Sequence, residues 1–390
     1  MVTYPSYWTP MQLKDLGCIQ MCRRIFQSQT KEYGDIPFYK ISTFGNKADA
    51  YISRDLYEKY KALYPYPEKD DVLISAAGTV GKAVIFDGKD SYFQDSNIVW
   101  LKVNKDLVDR KFLWWFYRSY PWEALEGTTI QRLYNNIILK TSINLPSIPE
   151  QKEIAQTLST FDTYIDDLSE LIEKKKNIRD GALEDLISGR TKLNGFSGEW
   201  QESKLADICK VYDGTHQTPK YTLKGIRFVS VEDISNLYQS DKFISKEAYD
   251  LNFKVRPEMG DILMTRIGDI GTPCVVDKSE PLAFYVSLAL LKNISINNRF
   301  LYYYIMASAF QQELDDRTLH HATPKKINKG EIGKCNVKYP KDPNEQEAIA
   351  SILIAMDKEI KSLEAEREKM IQIREGVMDD LLTGRVRLTV

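Results

Sequence analysis

EQKEIAQTLSTFDTYIDDLSELIEKKKNIRDGALEDLISGRTKL fills residues 150–193, and EQEAIASILIAMDKEIKSLEAEREKMIQIREGVMDDLLTGRVRL fills residues 345–388. Laid over each other at a constant offset of 195, with no gap, the two match at both ends. Glu150-Gln151 returns as Glu345-Gln346, Asp162 as Asp357, Arg179 as Arg374, and Gly189-Arg190 as Gly384-Arg385. An internal repeat decides the fold before any local pattern does. Here it gives the plan globule, long helix, globule, long helix.

The helical reading rests on spacing. Ile154, Leu158, Phe161, Ile165 and Leu168 alternate steps of four and three, and Ile349, Leu353, Met356, Ile360 and Leu363 do the same. An apolar seam held over several heptads with charges between predicts a coiled coil. Two unrelated amphipathic helices would not explain the constant offset. Near the far end the seam turns polar at Arg179 and Arg374, equivalent places that we read as setting register. Chain order then dictates direction: the first helix leaves the first globule, and the second starts at the second globule and returns antiparallel. Helices of about forty residues at about 1.5 Å each are roughly 60 Å long. The expected fold class is α+β: two tandem α/β domains separated by two long helices that form an antiparallel coiled coil, with a pseudo-two-fold repeat. The expected boundaries are 1–146, 147–193, 194–340 and 341–390.

Composition narrows the class. A chain of 390 residues, 43% hydrophobic, has room for two or three domains with cores of their own. No basic start with an apolar core opens the sequence, and no apolar run nears 18 residues, so neither a signal peptide nor a membrane span is expected. Five cysteines, Cys18, Cys22, Cys209, Cys274 and Cys335, lack paired spacing and read as reduced cytoplasmic thiols. The net charge of −2 hides a division. Residues 1–146 hold 19 basic and 16 acidic side chains, and residues 194–340 hold 19 and 18. The segments 147–193 and 341–390 hold 7 against 10 and 8 against 11. Positive balance in the globules and negative balance on the helices is compatible with globules that touch phosphate.

The globules are diverged copies as well. Asp71-Val72-Leu73-Ile74-Ser75 followed by a Gly78–Gly81 turn has its counterpart in Asp261-Ile262-Leu263-Met264-Thr265 followed by Gly268–Gly271, each a strand, a tight turn and a second strand. Trp8, Leu13 and Phe38 match Trp200, Leu205 and Phe228, and aromatic helices are expected at 111–120 and 299–310. The scaffold is kept and the loops differ, as when one frame carries two binding surfaces.

Catalytic motifs are missing. Gly78-Thr79-Val80-Gly81-Lys82-Ala83 lacks the GxxxxGK[ST] spacing and is better read as a strand turn. His216, His320 and His321 form no zinc motif, Cys18 and Cys22 read as one packed face, and no GxSxG elbow occurs. We expect no catalytic and no metal site. What remains is polar, basic loop chemistry: Asp213-Gly214-Thr215-His216-Gln217-Thr218-Pro219-Lys220-Tyr221, placed after the first strand of the second globule, and Arg23–Lys31 in the first. Such side chains can read base edges or grip phosphate; solvated surface is the plain alternative for any one of them.

With these features the chain closely resembles the specificity subunit of type I restriction-modification systems, over its whole length. The resemblance rests on the paired ends Glu150-Gln151 to Gly189-Arg190 and Glu345-Gln346 to Gly384-Arg385, on the two strand-turn units, and on the loop at 213–221; the first globule lacks that last loop. It implies a non-catalytic reader of double-stranded DNA, with two target-recognition domains that each take one half of a split, asymmetric sequence. It also implies two methyltransferase subunits docked on the helices, two ATP-driven restriction and translocation subunits, and S-adenosylmethionine, ATP and magnesium held by those partners. The residues expected at DNA are Thr215, His216, Gln217, Lys220, Arg266, Lys325 and Lys326 in the second globule. In the first they are Arg23, Arg24, Gln27, Lys31, Lys82, Gln131 and Arg132. A protein scaffold with no DNA preference is the rival reading.

Overall fold

The computed structural model describes residues 4–122 and 132–388. Two compact units emerge. Unit one is Met1–Ser169 with Ala365–Val390, and unit two is Glu170–Glu364. Each long helix, Ile148–Ile187 and Pro343–Thr383, is continuous across the boundary and contributes one part to each unit.

In unit one an antiparallel four-stranded sheet runs in the order Gly17–Met21, Ile98–Val103, Val72–Ser75, Ala83–Ile85. A second sheet orders Ala50–Ile52, Ile36–Tyr39 and Tyr92–Phe93, the last pair parallel. Thr9–Gln12 pairs with Ser142–Leu145. The run Val72-Leu73-Ile74-Ser75 is buried throughout because both faces of its sheet are covered. Side chains alternate across a strand, so Val72 and Ile74 enter one core, and Leu73 enters a second with Phe38 and Trp100. The helix Arg110–Ser119 starts at Asp109, whose carboxylate accepts from the Phe112 amide, and it buries Phe112, Leu113, Trp115 and Tyr117.

Unit two repeats this. Its four-stranded sheet is Lys210–Asp213, Leu288–Lys292, Ile262–Ile267, Asp269–Val275. Its second sheet is Tyr221–Thr222, Phe243–Ile244, Ile226–Val229, Leu282–Phe284, again with the last pair parallel. Trp200–Lys204 pairs with Asn336–Pro340, and the helix Asn298–Met306 is capped by Asn297. The polar loop at 213–221 thus follows the second strand of the unit and not, as expected, the first.

Within each unit the parts of the two long helices pair antiparallel. In unit one Ile154, Leu158, Ile165 and Leu168 are buried, and Leu158 shares a core with Leu381 and Leu382. In unit two Ile349, Leu353 and Ile360 are buried, with Ile349 and Leu353 beside Leu183, Leu186 and Ile187. Phe161, Met356 and Leu363 are half-buried; the first two are repeat-equivalent, so the seam opens at the same place in both copies. The seam arginines make reciprocal ion pairs. Arg374 reaches Asp162 at 2.7 Å in unit one, and Arg179 reaches Asp357 at 2.9 Å in unit two. Asp357 also accepts from the Tyr303 hydroxyl at 2.6 Å; burial and that carboxylate push the Tyr303 pKa up.

The duplicated ends have definite jobs. Gln151 accepts from the Asp109 amide and donates to the Pro146 and Leu107 carbonyls; Gln346 accepts from the Asn297 amide and donates to the Pro340 carbonyl. Each glutamine therefore ties the start of a long helix to the cap of the aromatic helix in its unit. The helices stop short of the expected ends because Gly189 and Gly384 adopt left-handed φ of 73° and 70°, a glycine helix stop. Trp200 lies on Gly189 and Trp8 on Gly384, so the closing joint is built alike in both units. All five cysteines are free, but Cys18 is exposed and Cys22 buried, so they do not form the expected single packed face. Among the described residues no helix is long and apolar enough to cross a membrane, and no group of histidine, cysteine and acid side chains is placed to hold a metal.

Candidate nucleic-acid interface

In both units a segment that carries an exposed cation is tied to the strand turn of the four-stranded sheet. The backbone does the tying. In unit one the Ala76 amide donates to the Asn97 carbonyl and the Leu133 amide to the Ala76 carbonyl, at 2.7 and 2.9 Å. In unit two Arg266 to Ser287 and Ile327 to Arg266 make the equivalent bonds at 2.9 and 3.0 Å. Arg132 bridges Ala77, and Lys326 bridges Ile267, so an exposed cation sits next to the turn in each.

Unit two gathers most of its expected residues. His216, Gln217 and Lys220 are exposed, and Thr215 is half-buried, with its amide on the Phe284 carbonyl and its hydroxyl closing a local turn with Gln217. Lys325 and Lys326 are exposed on a segment whose carbonyls accept from Gly268 and Leu319. Gly214 is required here: a Cβ would meet the Tyr285 backbone at 2.4 Å.

Arg266 is a correction. Only 5% exposed, its guanidinium pairs with Asp213 at 2.5 Å and donates to the Ile327 carbonyl at 3.0 Å. An arginine inside an apolar strand needs a buried partner, and this one has it, so it is not open to a double helix. Two residues outside the set expected at DNA stand beside it, Asp213 at the start of the loop and Lys329. Asp213 holds Arg266, and Lys329 stands 3.6 Å from the other Asp213 oxygen. The signal for Asp213 was present: a lone Arg266 in the run ILMTRI demands an acid.

In unit one the loop is Arg23–Lys31. Arg23 is exposed, its guanidinium 5.2 Å over the Tyr64 ring, and Arg24 pairs with Asp95 at 2.7 Å. Gln27 is exposed, and the Lys31 backbone exchanges hydrogen bonds with Tyr51. A concavity of about 620 Å³ is lined by Gln27, Lys31, Lys40 and Gln94, and one of about 500 Å³ by Arg23, Arg24, Phe26 and Tyr64. Arg132, Asn135 and Asn136 line a third of about 330 Å³ that shares Met21 with the second. Lys82 is the other correction: half-buried, its ammonium donates to the Phe44 carbonyl at 2.6 Å. The glycines before it, Gly78 and Gly81, take left-handed φ of 68° and 84° in a strand turn. Gln131 lies outside the described residues.

The surface so built offers amides, hydroxyls and imidazole for base edges and arginine and lysine for phosphates. The family model described as the type I restriction modification DNA specificity domain matches residues 5–178 and again 197–372. A putative type I restriction enzyme specificity subunit of Haemophilus influenzae is 51% identical over 160 residues, which is 41% of this chain and 42% of that protein. The type I restriction enzyme MjaVIII specificity subunit of Methanocaldococcus jannaschii is 23% identical over 345 residues, 82% of this chain and 80% of that protein. Among solved structures, the S subunit of a type I restriction-modification system from M. genitalium superposes with a TM-score of 0.62 at 18% identity, covering 98% of this chain and 97% of that one.

Proposed function

The chain belongs to the type I restriction-modification DNA specificity family, and from that premise we propose that each unit reads one half of a split, asymmetric DNA target. The observation that carries the reading is the duplication itself. Two equivalent loop surfaces on one scaffold differ in their side chains, as two different half-sites require. In unit two Thr215, His216, Gln217 and Lys220 meet the bases and backbone, with Lys325, Lys326 and Lys329 on phosphate. In unit one Arg23, Arg24, Gln27, Lys31, Gln131 and Arg132 do so.

The paired helices act as the spacer. Helices of 40 and 41 residues are each roughly 60 Å long at about 1.5 Å per residue, which suits half-sites one to two DNA turns of about 34 Å apart. Their outer faces dock two methyltransferase subunits, and two restriction and translocation subunits join in the cytoplasm. Methyl transfer with S-adenosylmethionine and ATP hydrolysis with magnesium belong to those partners; this chain supplies recognition and no catalysis.

The test is selection of preferred sequences from a random duplex library by the reconstituted complex. The expected result is two fixed motifs separated by a constant gap. Exchange of residues 1–146 for those of another family member alters one motif only, and four residues inserted in each helix lengthen the gap only. A complex that enriches no sequence is a scaffold, and the proposal is then wrong.

A further inference from the structure

We propose that Arg266 is a positioning residue for DNA recognition. From inside unit two it locks the loop at 213–218 to the basic segment at 325–329, so that both present one preset surface. The inference rests on the reading that unit two takes one half of the target.

Three segments converge on this side chain. Nη1 pairs with Asp213 Oδ1 at 2.5 Å, Nε donates to the Ile327 carbonyl at 3.0 Å, and Nη1 lies 3.5 Å from the Val286 carbonyl. Asp213 stands two residues before Thr215, and Ile327 directly follows Lys326, so both ends of the link abut residues placed at DNA. The loop has little slack. Gly214 lies against the Tyr285 backbone, and the Thr215 amide and carbonyl bond to Phe284 and Val286 at 3.1 and 3.0 Å. Lys329, at 3.6 Å from Asp213 Oδ2, extends the same link to the exposed side.

Unit one isolates what the side chain adds. Ala76 occupies the equivalent position and makes the same two backbone bonds, with no side chain to reach further. Its loop is tied by backbone bonds between Lys31 and Tyr51, and its side-chain pair, Arg24 on Asp95, has an arginine that is 60% exposed. Exposed pairs contribute little, whereas a buried pair that loses one partner leaves an uncompensated charge. On this inference the buried link presets the unit-two surface, a device the unit-one loop lacks. Holding a reader in its bound shape lowers the ordering cost of association.

The experiment uses the reconstituted complex carrying Arg266→Lys, Arg266→Ala or Asp213→Asn. Binding is measured by competition on duplexes with the target, with the unit-two half scrambled, or with the unit-one half scrambled, at several salt concentrations. Thermal melts report the folded fraction; where Arg266→Ala lowers it, the other two variants carry the test. Discrimination at the unit-two half falls by about fivefold or more, the low end of what one bidentate base contact supplies. Lysine does not rescue it, because a point charge cannot replace the fork. The unit-one half keeps its discrimination. The slope of log affinity against log salt stays unchanged, since no phosphate contact is lost. A slope smaller by about one, with discrimination intact, means that Arg266 itself grips phosphate and overturns the inference. Unchanged discrimination in folded variants overturns it too. A wild-type complex indifferent to its unit-two half removes the underlying reading, and the inference with it.

Discussion

Replacing Gln346 with leucine gives a sharp measure of how the long helices are seated. The side chain is 3% exposed, accepts from the Asn297 amide at 2.7 Å and donates to the Pro340 carbonyl at 2.7 Å. Leucine matches its size, so little packing changes, but both backbone groups lose their partner. An orphaned buried donor or acceptor costs roughly 1–3 kcal/mol. The Asn297 amide is only part-buried and stands at the low end, so the two together come to about 3 kcal/mol. For a domain of this size that lowers the melting temperature of unit two by about 6–12 °C. Native-state hydrogen exchange separates the units: Leu290 and Phe300 amides should lose protection, and Trp100 in unit one should keep it. The mirror change, Gln151→Leu, breaks three bonds and should cost unit one more. A loss below about 1 kcal/mol in unit two would refute the seating role.

Three further outcomes follow from the same kind of reasoning. Gly384→Ala and Gly189→Ala each cost about 1–2 kcal/mol from the left-handed backbone. The first is the worse by thermal melt, because its Cβ would meet Pro5 at 2.6 Å where the other meets Trp200 at 3.3 Å. Burial raises the thiols of Cys22 and Cys209 from 9.0 to about 12 and the Tyr57 hydroxyl from 10.0 to about 12. Each ionises earlier in the unfolded chain, so its contribution is complete below about pH 9 and is lost as pH rises towards 12. Denaturant titrations across that window check this, and thiol reagents at neutral pH should label exposed Cys18 before Cys22 or Cys209. Arg132→Ala and Lys326→Ala should weaken binding about equally for target and random DNA and reduce the salt slope by about one; sequence-dependent loss would reassign them to base contacts.

The seam of the helices was legible because periodicity is a local property: Ile154, Leu158, Ile349 and Leu353 announce a buried face from spacing alone. The repeat likewise exposed the plan of both globules, since Val72–Ser75 and Ile262–Ile267 keep their apolar runs. What the repeat could not reveal was why Glu-Gln recurs, because Gln151 and Gln346 act on the Asp109 and Asn297 amides, more than forty residues away, and on the Pro146 and Pro340 carbonyls. Lys82 and Arg266 misled for a related reason. A cation in sequence looks free until its partner is known, and Phe44 and Asp213 are distant in the chain. The Cys18–Cys22 spacing failed because Gly17–Met21 ends between them, leaving one thiol exposed and the other among Ile36, Phe38 and Tyr92.

The reciprocal pairs Arg374–Asp162 and Arg179–Asp357 bear on how a long antiparallel pair keeps count. Heptads are interchangeable to leucine and isoleucine, and a slide by seven residues would still bury apolar side chains. In one direction such a slide would set Arg374 opposite Ala155 and Arg179 opposite Ala350, so both arginines would lose their acids at once, one in each unit. Misalignment in that direction is thus penalised twice, and a substitution that disables one checkpoint leaves its twin on duty.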